Sequence, residues 1–153
     1  MGSQPFGAAL WTTLEALHRE MGNTLQGLPA DALNWQPTEG ANSLYVLATH
    51  VAGAERYWLG EVVGGHPQRR DREAEFRARG NDANMALRAL YDVGELSRQV
   101  LMGLRPESWT EPHTARGREY TLGWCVLHAI EHTALHLGHM QLTRHLWEAQ
   151  NAL

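Results

Sequence analysis

His128-Ala129-Ile130-Glu131-His132-Thr133-Ala134-Leu135-His136-Leu137-Gly138-His139 holds four of the chain's nine histidines. At about 100° per residue around a helix, His128 falls about −40°, His136 about +40° and His139 about −20° from His132. All four therefore share one stripe, together with Cys125 and Thr143. The stretch lies inside the longest helical segment, Thr121 to Gln150. Its far side carries Leu127, Ile130, Ala134 and Leu137, so apolar neighbours are expected on both faces, either another helix or a partner subunit.

Working outward, Gly and Pro divide the rest of the chain into three more segments at helical spacing. Phe6 to Gln26 puts Leu10, Leu14, Leu17, Met21 and Leu25 on one stripe and stops at Gly27-Leu28-Pro29. Leu28 to Gly40 reads as a loop containing Trp35 and Pro37. A second helix starts at an Asn42 or Ser43 cap and runs to about Val63, with Leu44, Leu47, Val51, Ala54, Trp58 and Val62 inward. Gly64-Gly65-His66-Pro67 ends it. A third helix covers Asp82 to Leu104. Between these two, Gln68 to Gly80 mixes Arg with acids and reads as a solvated loop or short surface helix; a docking surface for an anionic substrate is the rarer use of such a run. Pro106 to Arg118 reads as a polar connection, and no segment alternates in the manner of a sheet. The expected fold is all-α, a four-helix bundle forming a single domain over residues 1–153.

Composition narrows the function. The 153 residues carry 13 basic side chains, all Arg, against 17 acidic ones, a net charge of −4. That balance argues against a protein that grips nucleic-acid backbones. One cysteine, Cys125, excludes an internal disulfide framework and a multi-Cys zinc finger, and reads as a small core residue. The longest stretch without charge, Gly40 to Ala54, has 15 residues and contains Asn42, Ser43 and His50, too short and polar to span a bilayer. The N-terminal residues lack the basic and apolar regions of a signal peptide, so a cytoplasmic protein is expected.

A stripe of imidazoles on a packed helix needs partners for its nitrogens, and a metal ion supplies one. Two His at i and i+4 can close on one ion from adjacent turns; a further ligand must come from elsewhere. His50, beside Leu47, Val51 and Ala54 on the second helix, faces the same core. A lone His there is ordinarily a hydrogen-bonded core residue, but five together point to a metal. Spacing leaves the pair open: His128/His132 and His132/His136 are both i,i+4, and His136/His139 is i,i+3. His132 belongs to both i,i+4 pairs.

His128-Ala129-Ile130-Glu131-His132 also matches the inverted zinc-protease pattern, with Glu131 as general base. On a helix Glu131 lies about 100° from His132, and the only downstream acid, Glu148, falls on the opposite face. A di-iron centre would need two E-x-x-H pairs, and Glu15/His18 is the only one. Glu131, His128 and His139 are instead expected to orient ligands or move protons. Trp35, Tyr57, Trp58 and Trp124 are candidates for pocket walls.

Three pieces resemble the DinB/YfiT-like superfamily of metal-dependent four-helix proteins. Leu33-Asn34-Trp35-Gln36-Pro37 with Ala41-Asn42-Ser43 resembles the loop leading into the family's second helix. Leu47-Ala48-Thr49-His50-Val51-Ala52-Gly53-Ala54-Glu55 resembles that helix with its ligand histidine. Glu131 to His139 resembles the H-x-x-x-H-x-G signature of the fourth. The resemblance implies His50, His132 and His136 as ligands of a divalent transition metal: zinc, nickel or iron. His139 stands where many members have Gln, and His128 has no assured counterpart. It further implies a small-molecule substrate, with low-molecular-weight thiols such as mycothiol or bacillithiol as one class and hydrolysis as the other. Transferase or isomerase chemistry dependent on a thiol is the leading expectation; a metal-dependent hydrolase and a non-catalytic metal-binding stress protein are the alternatives. A homodimer is expected from the two-sided fourth helix, with neither nucleic acid nor membrane as partner.

Overall fold

A computed structural model describes residues 6–152. Four long helices form the bundle: α1 (Phe6–Leu25), α3 (Leu44–Glu55, continued by a π-helical stretch Arg56–Val63), α5 (Asn84–Met102) and α6 (Leu122–Asn151). Two short helices, α2 (Ala30–Asn34) and α4 (Arg72–Phe76), lie in the connections. α1 and α3 each pack against both α5 and α6, so they stand on opposite corners of the bundle. Among the described residues no helix is long and apolar enough to cross a membrane.

Caps set the starts of the two helices that matter most. Ser43 Oγ accepts a hydrogen bond from the Val46 amide at 3.2 Å, and Thr121 Oγ1 accepts one from the Trp124 amide at 3.2 Å. Apolar stripes then close two core clusters. One gathers Met21, Leu25, Leu44, Leu47, Val51, Leu90, Val93 and Met140. The other gathers Leu14, Trp58, Leu59, Leu101, Leu122, Cys125 and Val126.

Beyond Glu55 the expected regular helix gives way to i→i+5 pairing, as in Gly64 N–H donating to the Leu59 carbonyl at 2.9 Å. Glu55 itself is fully buried at this junction. Its carboxylate accepts from Ser97 Oγ at 2.5 Å and from the His18 Nε2–H at 2.7 Å, tying α3 to α5 and α1. His18 of the E-x-x-H pair is thus consumed by the frame of the fold.

The connections correct the sequence reading in three places. The segment after Gly27, which reads as a plain loop, contains α2. The charged run forms α4, the short helix that is one of its two readings, but its Glu75 is buried rather than solvated. The polar connection before α6 contains a 3₁₀ turn, Pro106–Thr110, and an antiparallel hairpin, β1 (Pro112–Ala115) with β2 (Arg118–Thr121), where no sheet was expected. Strands of four residues are too short to show alternation. Arg116 and Gly117 supply the two positive-φ residues of its turn, at 52° and 73°. His113 Nδ1 lies 2.9 Å from the Val62 carbonyl oxygen and pins the hairpin to the π stretch.

The outer face of α6 is only partly covered. Leu137 is buried within the bundle, whereas Leu127, Leu135, Leu142 and Leu146 are exposed.

Candidate metal centre

His50 leaves α3 on its buried side, between Leu47, Val51 and Ala54, and is 6% exposed. His132 and His136 reach toward it from successive turns of α6. One ligand atom from each of the three lies within 4.8 Å of the other two, and among the described residues no other such group of His, Cys, Asp or Glu forms. The Nε2 atoms of His50 and His132 stand 3.1 Å apart. Metal–nitrogen bonds of about 2.0–2.1 Å set a tetrahedral N···N edge near 3.3 Å, so this pair is already spaced to share an ion. Ring centroids of His136 lie 5.1 Å from His50 and 4.4 Å from His132.

The protonation chemistry agrees with that use, because a ligating imidazole must be neutral. Burial, then the neighbouring imidazoles, push His132 from the ordinary 6.5 down to about 3. Burial, then His50 and His139, lower His136 to about 4. His50 is also lowered, chiefly by burial, against the opposing pull of Glu75.

Glu75, expected only as one more charge of the solvated run, stands directly behind His50. Its carboxylate accepts the His50 Nδ1–H at 3.0 Å, which turns Nε2 of His50 toward α6. The same carboxylate takes two bonds from Arg70, Nε at 2.7 Å and Nη2 at 2.8 Å. Both partners are nearly buried, with side chains 8% and 11% exposed. Gly53 makes this approach possible: a Cβ there would run into the Glu75 carboxylate. α4 brings the residue into place, its first turn capped by Asp71 Oδ1 on the Ala74 amide at 2.9 Å, and it lays Phe76 against the His50 ring at 4.7 Å. The Ala74-Glu75-Phe76 step, an acid next to an aromatic inside a charged run, is the signal that could have marked it.

His128 does not join the triad. Its ring stacks on Trp124 at 4.7 Å and 12°, meets Trp58 edge-on at 4.9 Å, and lies 6.1 Å from the His132 ring. Tyr120 stacks on the other face of Trp124 at 4.2 Å, so hairpin and helix share an aromatic column. Burial lowers the pKa of His128. His139 is exposed, with Nδ1 3.4 Å from Nδ1 of His136. The Glu131 side chain is 80% exposed and its nearest imidazole is His128 at 3.9 Å, so its carboxylate is not brought to the three histidines. Cys125 is fully buried in the second core cluster, where burial raises its thiol pKa, and stands outside the ligand group.

A cavity of about 90 Å³ opens on His50 and His132, walled by Ala54, Trp58, Arg70, Arg72, Arg116 and His128. Of the four aromatic candidates, Trp58 lines it. Tyr57 lies beneath Arg116, Trp124 backs His128, and Trp35 is not in its wall.

Two solved structures share this architecture. A conserved protein from Enterococcus faecalis superposes with a TM-score of 0.75 at 16% identity, covering 94% of this chain and 98% of its own. A DinB-like protein from Bacillus cereus ATCC 10987 gives 0.73 at 16% identity, covering 94% and 91%. Comparison with curated proteins finds no match. The profile of the DinB superfamily matches residues 13–140, which include all three histidines of the triad and the Glu75 that backs His50, and the chain belongs to that superfamily.

Proposed function

We propose that the protein is a metal-dependent enzyme whose ion is held by His50, His132 and His136, and that it acts on a small molecule as a thiol-dependent S-transferase or isomerase. The observation that carries this reading is the convergence of three imidazole nitrogens within 4.8 Å beside a cavity. Zinc, nickel and iron all suit such a donor set. A divalent ion bound there with a free position would lower the pKa of a coordinated thiol or water and act as a Lewis acid.

The donors are neutral, so nothing in the ligand set offsets the charge of the ion; a thiolate would, and so would a hydroxide, so the choice between them rests on the groups around the ion. The carboxylates nearby are unavailable as bases for water: Glu75 is spent on His50 and Arg70, and Glu131 faces solvent. His128 lines the cavity, and in this reading it accepts the thiol proton.

A cobalt-substituted sample titrated with small thiols tests this. A new visible absorption on thiol addition, lost in His50→Ala while helicity persists, is the expected result. No response to any thiol, alongside turnover of esters or amides, would give the site to hydrolysis; stoichiometric metal with neither would leave a metal-binding stress protein. The homodimer is carried forward on the exposed Leu127, Leu135, Leu142 and Leu146 of α6, and a Leu135→Glu variant that sediments as half the wild-type mass would support it.

A further inference from the structure

Arg116 occupies an unusual place for its residue type. It is the first residue of the two-residue hairpin turn, at φ 52°, a position that ordinarily takes Asn, Asp or Gly. The hairpin carrying it is fixed, by the His113–Val62 contact and by burial of Ala115. Its guanidinium is held 5.2 Å from the Tyr57 ring and 5.6 Å from that of Trp58. Arg72, which lines the same cavity as Arg116, lies 4.8 Å over the Phe76 ring. Among the described residues neither makes an ion pair, unlike Arg70, whose charge is met by Glu75.

Two guanidinium groups without a carboxylate partner, each within cation–π reach of an aromatic ring, thus border the same cavity, in a chain of net charge −4. A cation–π contact steadies an Arg head group without using its N–H donors, which stay free for paired hydrogen bonds to an oxyanion. We infer that Arg72 and Arg116 form an anion clamp, so that the substrate of this centre carries a carboxylate or phosphate group alongside the atom that reaches His50 and His132. The inference rests on the proposed thiol chemistry for its choice of ligand: a thiol bearing an oxyanion a few bonds from sulfur.

The experiment compares 3-mercaptopropionate with its neutral amide, 3-mercaptopropanamide, by titration of cobalt-substituted protein. Propionate binding to metal-free protein is followed in parallel by tryptophan fluorescence. Wild type is expected to favour the carboxylate by about tenfold or more, as a charge-assisted pair with Arg gives. Arg72→Gln and Arg116→Gln should each erode that preference with little effect on the amide. Arg116→Gly relaxes the turn, so it should melt at or above the wild-type temperature yet lose the preference, which separates clamp from fold. Equal binding of the two thiols by wild type, or a preference that survives Arg116→Gly, would overturn the clamp. If no thiol perturbs the cobalt spectrum but propionate still binds in an Arg116-dependent way, the clamp stands and the thiol reading fails.

Discussion

Replacing Glu75 by Gln removes one charge and leaves the shape of the side chain nearly intact. In the native protein the carboxylate holds His50 Nδ1 at 3.0 Å and Arg70 at 2.7 and 2.8 Å. Gln keeps one acceptor oxygen and presents an amide N–H₂ to two partners that are themselves donors. His50 then loses the anion that fixes its tautomer and strengthens it as a ligand. Loss of such a partner behind a metal-bound histidine weakens affinity by about 10–100-fold, or roughly 1.4–2.7 kcal/mol. A second cost falls on folding. The Arg70 side chain is 11% exposed and would be left without its counter-charge. Breaking a buried pair from one side costs about 3–5 kcal/mol, and the low end applies because Arg70 borders the cavity, where water can reach it. The double variant Arg70→Gln/Glu75→Gln should recover part of that loss in stability, but none of the loss in metal affinity. Competition titration with a chromogenic chelator measures the affinity, and urea unfolding the stability. Glu73→Gln, on the exposed side of α4, is the control. A Glu75→Gln protein that binds metal within about twofold of wild type would refute the assignment of Glu75 as the group that positions His50.

Gly53→Ala gains about 1 kcal/mol of helix propensity but sets a methyl group against the Glu75 carboxylate and strains its pair with Arg70, so metal affinity and melting temperature should both fall. Unchanged metal affinity in that variant would count against the close approach. Metal-free protein should lose stability as pH falls from about 6.5 toward 4: there the unfolded chain binds protons that His132 and His136, lowered to about 3 and 4, still refuse. Each contributes up to about 1.4 kcal/mol per pH unit, less whatever solvent at the cavity mouth screens, and His132→Gln should flatten the profile by its share. Ser43→Ala removes the cap of α3 and should cost about 1 kcal/mol in denaturant melts, with metal stoichiometry unchanged.

The four long helices are legible because each combines an unbroken apolar stripe with a clear stop. Expected and observed ends differ by no more than two residues, as for Asp82 to Leu104 against Asn84–Met102. The caps at Ser43 and Thr121 act through a side chain three residues from the amide they bond, so local sequence carries them. The π stretch is different: burial of Trp58 suits either hydrogen-bonding register, and the hydrophobic period does not separate them. Glu75 was hidden for another reason. A charged run reads as solvated, and the partners that make its burial tolerable, Arg70, His50 and Gly53, are brought together by the fold. Spacing alone also left His128 and His136 equivalent about His132. Their fates are decided across the bundle, where the aromatic column of Tyr120, Trp124 and Trp58 holds His128 and leaves His136 facing His50.

In the proposed centre, side chains of α3 and α6 jointly grip one cation and leave it reachable from the cavity. X-ray absorption at the edge of the bound metal, on stoichiometrically loaded protein, reads this directly. The expected spectrum has one nitrogen shell at about 2.0–2.1 Å fitted by three imidazoles, plus an oxygen scatterer that a thiol exchanges for sulfur, with one imidazole fewer in His50→Ala. A spectrum with fewer than three imidazoles in the wild type, or one untouched by His50→Ala, would contradict it.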